Sequence, residues 1–300
     1  MLDSSTKKDI EKISYNILKE SKSFDIFPTP VDQILYYSNF VVDNSIDLQN
    51  IHSSFFEEKK EKASKSLISA MSKIWGMFDR SEKTIYIDSK LDTKIGKKNF
   101  VKLHEIGHGV LTWQNDIMLA LDDDITLNAQ IEEQFEAEAN YFASITLFQH
   151  DRFLGEIEKS NLGIATVMQL SKKFGSSVHS ALRNYVLNSK NRCGLLVLNP
   201  ITNENGKVNF LQTRDLFYSD PFFKDFGELI LPEKFGFKWA FVQDYKFQKK
   251  YNENGNITLT SKNGIDFNVN YHFFNNGFNC FVLFFPIGEK NAVKKKFTFS

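Results

Sequence analysis

The sequence predicts an α+β protein: a mainly helical N-terminal domain holding a small β-hairpin, followed by a mostly antiparallel β domain. Three observations predict it. Residues 7–187 contain long segments with apolar residues at helical spacing. From about Cys193 the chain runs instead in short, aromatic-rich stretches broken by Asn/Gly clusters. The texture changes near residues 189–192, which divides the chain into domains 1–189 and 190–300, with a helix pair at 163–188 closing the first.

Residues 7–22 read as an amphipathic helix with Ile10, Ile13, Ile17 and Leu18 on one side. Thr29-Pro30-Val31-Asp32 reads as a helix start, Thr29 capping and Pro30 in the first helical position. Residues 40–43 form a short strand, and the Lys/Glu-rich segment 57–65 a solvated helix face. Two short runs, 74–78 and 84–88, flank a turn-like Asp-Arg-Ser-Glu-Lys and make a hairpin. Helices follow over 92–112 and 130–148. Between them Asp122-Asp123-Asp124 lacks the spacing of a calcium loop and reads as a solvated turn. The pair 163–175 and 177–187 resembles a DNA-binding helix pair, but only Lys172, Lys173 and Arg183 are basic nearby, which favours a structural or protein-docking role.

In the second domain the expected strands are 194–199, 208–212, 239–247, 257–261, 265–274 and 278–285. The turns are 252–256, Asn263-Gly264 and Asn275-Asn276-Gly277, and 214–235 is an irregular or helical insertion.

Composition excludes several classes. With 37 basic and 37 acidic residues the formal charge is zero, so no global field recruits nucleic acid. Two cysteines, Cys193 and Cys280, are too few for a disulfide framework and read as core thiols. No run approaches the roughly 20 apolar residues of a membrane span, and no signal-peptide apolar region opens the chain. The expectation is a cytoplasmic protein without a membrane or nucleic-acid partner; oligomeric state has no signature.

The chemistry concentrates in His104-Glu105-Ile106-Gly107-His108. On a helix, positions i and i+4 differ by only about 40° in rotation and one turn in height, so both imidazoles can hold one metal ion. Glu105 sits beside that ion without being able to join both histidines as a ligand, where a water-activating base belongs. A catalytic site needs a third protein ligand and an open position. On helix 130–148 the candidates are Glu132, Glu133, Glu136 and Glu138. Glu136 and Glu138 flank an apolar arc of Phe135, Ala139, Phe142 and Thr146, and periodicity does not choose between them. Gly107 and Gly109 suit close approach of another backbone. His150, at the end of that helix, is either a structural histidine or a hydrogen-bond donor to the reaction.

The motif His-Glu-Ile-Gly-His, followed by Glu136-Ala-Glu-Ala-Asn140-x-Phe142-Ala143, resembles the ImmA/IrrE metallopeptidase family; the likeness spans about residues 7–187. The resemblance implies a helical zincin-like domain in which His104, His108 and Glu136 bind zinc and Glu105 is catalytic. Asn140 would orient a ligand. The family's Leu-Leu-Met-Pro-like run is Ile-Thr-Leu-Phe here, so the cleft wall differs. Ligand types suit Zn²⁺ and leave Mn²⁺ or iron open. The resemblance further implies a protein substrate, a DNA-binding helix-turn-helix repressor of a mobile element, prophage or stress response, and a C-terminal domain that is sensory in some relatives. The competing readings are a metal-stabilised binder that sequesters a repressor uncut, and a peptidase with an unrelated substrate.

Overall fold

The computed structural model describes residues 2–45, 75–80, 82–114, 129–202 and 208–290; the expected helix face at 57–65 and the acidic turn at 122–124 lie outside them. The chain divides into two units, Met1–Phe153 with Ser171–Ser177, and Leu154–Leu170 with Val178–Ser300.

The first unit begins with α1 (Ser4–Glu20), capped by the Asp3 carboxylate, which accepts from the Ser5 and Thr6 amides at 2.8 and 2.9 Å. It buries Ile10, Ile17 and Leu18. Helix α2 (Val31–Tyr37) starts one residue later than expected, with Pro30 at the cap position. The Thr29 hydroxyl is engaged elsewhere, donating to the Leu147 carbonyl at 2.7 Å, because a buried carbonyl at a helix end takes the nearest donor.

A three-stranded sheet follows, built from β1 (Val41–Asp43), β2 (Gly76–Asp79) and β3 (Thr84–Ile87) in the order β1-β3-β2. The expected hairpin is β2–β3, antiparallel with Gly76 opposite Ile87, and β1 joins β3 in parallel. Among the described residues β2 is therefore an edge strand.

Helix α3 (Ile95–Val110) carries the histidine motif and packs on α4 (Ala129–Leu147). Gly107 makes the crossing tight: a Cβ there would lie 3.3 Å from Ala139 Cα and 3.1 Å from the Phe142 ring. Gly109 is used differently, since its missing Cβ leaves room for the Phe40 and Phe78 rings rather than a backbone.

Gly96, near the start of α3, is tighter still. A Cβ would sit 2.4–2.6 Å from the backbone of Ser176 and Ser177. Gly96→Ala gains helix propensity of about 1 kcal/mol, but no rotamer relieves a clash with main chain. We expect a net loss of about 1–3 kcal/mol, read as a lowered urea midpoint. An unchanged or raised midpoint would refute the close approach.

Helix α5 (Asp151–Lys159) is not anticipated by the sequence reading; it precedes α6 (Ile164–Phe174) and α7 (Val178–Leu187), close to the expected pair. Phe148, Phe153 and Phe174 cluster at centroid distances of 4.5–5.9 Å, closing the core of the first unit.

The second unit is organised on a sheet of β4 (Gly194–Thr202), β5 (Val208–Tyr218), β6 (Leu229–Ile230), β7 (Lys234–Phe235), β8 (Tyr251–Ser261), β9 (Asp266–Asn275) and β10 (Cys280–Pro286). Its order is β6-β8-β9-β10-β4-β5-β7, antiparallel throughout. Two expectations fail here. Segment 239–247 is not a strand but contains α9 (Ala240–Lys246), which buries Phe241 and Val242 against the sheet. It also buries the Asp244 carboxylate, which Tyr271, Asn252 and Lys249 satisfy at 2.7–2.8 Å. The Asn-rich run 252–256 is not a turn but lies within β8. A register shift falls between Asn252 and Gly255, whose bare Cα leaves space for the Tyr271 ring. The expected insertion 214–235 holds the end of β5, α8 (Asp220–Phe226), β6 and β7. Cys193 and Cys280 are buried free thiols, and burial pushes both up to about 12. Among the described residues, no helix is long and apolar enough to cross a membrane.

Candidate metal centre

α3 presents His104 and His108 one turn apart, and α4 brings Glu136 across from them. The two Nε2 atoms stand 3.1 Å apart, and each lies 3.3 Å from a different oxygen of Glu136. A tetrahedral ion with bonds of about 2.0–2.1 Å holds its ligand atoms roughly 3.3 Å from one another. Each of these separations is near that value, the three residues bring their ligand atoms within 4.8 Å of one another, and their nitrogen–nitrogen–oxygen composition suits zinc. Both imidazoles are 14% exposed and the Glu136 side chain 60%, so the centre opens towards solvent on the Glu136 side.

Glu105 is buried, only 5% exposed. Strand β2 crosses it with main chain: a Cβ on Gly76 would lie 2.8 Å from Glu105 Oε1 and 2.6 Å from Val101. Burial raises the Glu105 pKa, with Glu136 adding to it, while the two imidazoles and Arg80 pull the other way. Arg80, just past β2, was not singled out by the sequence; its burial lowers its own pKa and Glu105 opposes that. Burial disfavours ionised Glu136, but its hydrogen bonds to both histidines win and hold it well below the usual carboxylate range.

The remaining candidate carboxylate on α4 turns the other way. Glu138 is 1% exposed and accepts from Trp113 Nε1 at 2.8 Å, Gln114 Nε2 at 2.8 Å and Gln134 Nε2 at 3.0 Å. Gln114 Oε1 lies 2.9 Å from His108 Nδ1. Trp113 and Gln114, in the short helical stretch 112–114 after α3, are site residues that sequence reasoning missed; only their proximity to the motif hinted at them. Glu132 is half-buried and Glu133 exposed, and neither joins the donor cluster. Asn140 is exposed. His150 Nε2 lies 3.1 Å from Ser14 Oγ, which engages it with α1.

These values fix the sign of a pH effect. Burial alone would lower His108, but its bond to Glu136 and the charge of Glu105 raise it above the ordinary 6.5. A proton held more tightly competes with a metal at higher pH. Zinc affinity, measured by chelator competition, should weaken as pH falls, with onset above 6.5. Affinity flat from pH 8 to 5.5 would contradict the assignment of His108 as a ligand.

Comparison with known proteins gives a family likeness for part of the chain. Residues 50–184 match the peptidase family model described as the IrrE N-terminal-like domain. No curated protein matches. Among solved structures, a Mycobacterium tuberculosis transcriptional regulator is similar at 12% identity and a TM-score of 0.49, covering 92% of this chain and 86% of that one. Residues 50–184 thus carry a sequence similar to that metallopeptidase-type domain.

Proposed function

We propose that the protein is a zinc-dependent endopeptidase that cleaves one particular protein, a DNA-binding repressor of the helix-turn-helix class. The observation that carries the reading is the convergence of His104, His108 and Glu136, whose ligand atoms lie within 4.8 Å of one another, with a buried Glu105 beside them. A bound zinc ion would polarise the scissile carbonyl and acidify a water.

The chain's own groups do the rest. Glu105 takes the proton of the attacking water and delivers it to the departing amine, and the raised pKa of a buried carboxylate suits that exchange. An extended substrate pairs with β2, an edge strand among the described residues, whose backbone passes over Glu105 at Gly76; this brings a peptide carbonyl towards the donor cluster. The repressor as substrate rests on the family resemblance.

The test incubates the purified full chain with the repressor encoded nearest to it, with and without a chelator. We expect cleavage that the chelator abolishes and zinc restores. Tight binding without cleavage under any metal condition would overturn the peptidase reading in favour of sequestration.

A further inference from the structure

We propose that Glu138 sets the tautomer of His108, acting through the side-chain amide of Gln114, and that both are positioning residues of the metal centre. The inference rests on His108 being a metal ligand, but it makes a claim that holds in the metal-free chain.

The argument is an accounting of donors and acceptors. Gln114 is fully buried, so each end of its amide must find a partner within the protein. One end faces Glu138 Oε2 at 2.8 Å and the Phe135 carbonyl at 3.4 Å. A carboxylate and a carbonyl only accept. The end facing them is therefore the NH₂ group, because a flipped amide would set an oxygen against two acceptors. Oε1 is left pointing at His108 Nδ1, 2.9 Å away. An amide oxygen only accepts, so Nδ1 carries the proton. Nε2 faces the Glu136 carboxylate, which also only accepts and so competes for the ring proton while no ion is bound. With Nδ1–H held by Gln114, the proton given up to an ion is the one on Nε2, and the lone pair left there is aimed at the donor cluster.

Glu138 is itself held by Trp113 and Gln134, which supply further N–H donors to its two oxygens. Trp113 can donate only, so it cannot tolerate a donor in place of the carboxylate oxygen. Every donation thus runs toward Glu138: His108 Nδ1–H to the Gln114 oxygen, and the Gln114 NH₂ to the carboxylate. Without that chain of constraints a neutral histidine is free to place its proton on Nε2 and block its own ligand atom. Two carboxylates only two positions apart on α4 have divided the work. The exposed one offers its oxygens to the ion, and the buried one readies the imidazole beside it.

The test reads the tautomer directly. In the full metal-free chain carrying Glu136→Ala, which removes the competing acceptor from Nε2, with ¹⁵N-labelled histidine and at a pH where His108 is neutral, the ring nitrogens should report the Nδ1–H form. His108 in the Nε2–H form in that chain overturns the proposal. Gln114→Leu removes the acceptor; added to Glu136→Ala it should give mixed tautomers, and alone a roughly 10–100-fold loss of zinc affinity.

A graded pair of variants at residue 138 separates this role from packing. Glu138 Oε2 accepts from both Trp113 and Gln114, so Glu138→Gln can keep an oxygen there and should retain the tautomer and most of the zinc affinity. Glu138→Leu removes that acceptor, frees the Gln114 amide to flip and should lose both. Glu138→Leu that keeps tautomer and affinity, or Glu138→Gln as damaging as Glu138→Leu, overturns the relay. If the Nδ1–H form is found but zinc does not bind, the peptidase reading fails while the relay stands.

Discussion

Glu105→Gln should leave zinc binding and folding intact while lowering the rate of peptide hydrolysis by about 10²–10⁴-fold, the range for removing a positioned proton acceptor. Glutamine has the same shape, so contacts with Val101 and the main chain of Gly76 persist. The site already disfavours the charge, since burial is the largest influence on Glu105 and raises its pKa. A neutral amide is therefore well tolerated there. What vanishes is the ability to accept a proton from water. Metal content by mass spectrometry and substrate cleavage on gels, measured on the same preparation, separate the two effects. A glutamine variant that still cleaves at the wild-type rate would remove Glu105 from the mechanism. One that no longer cleaves yet still relieves repression would show that cleavage is not the biological activity.

Glu136→Ala should empty the metal centre. It deletes both oxygens that stand 3.3 Å from the two Nε2 atoms, and leaves a pair of imidazoles with no charge to balance a dication. We expect zinc affinity to fall more than about 100-fold, beyond the 10–100-fold typical when an outer partner of a ligand is lost. Glu138→Ala belongs to the latter class and should show the smaller loss in affinity, though the larger loss in stability. It strands buried donors on Trp113 and Gln114, each worth about 1–3 kcal/mol. The reverse order in metal content would mean that Glu138 is the ligand.

The contrast between these two glutamates shows where sequence reasoning stopped. The histidine pair and Glu105 were legible because helical geometry alone places them. Periodicity left the third donor open, because Glu136 and Glu138 lie on either side of the same apolar arc; the family resemblance pointed to Glu136. What distinguishes them is long-range: Trp113, Gln114 and Gln134 converge on one of the two and make its burial affordable. None of these donors has a spacing that announces it.

The same limit explains the misread elements. Segment 239–247 has strand-like composition, but its helix is decided by a sheet that buries Phe241, Val242 and Asp244 together. The run 252–256 has turn-like composition, yet pairing with β9 and the space needed by Tyr271 draw it into a strand. Thr29 has the chemistry of a cap and spends it on Leu147. In each case a partner distant in the chain overrode a sound local preference.

The bare Cα of Gly76 has one more consequence. What roofs the Glu105 carboxylate from that side is main chain locked into a two-strand ladder, not a side chain that can swing away on a rotamer. Inhibitor chemistry aimed at this centre therefore finds its open approach at the 60% exposed Glu136 and not through β2.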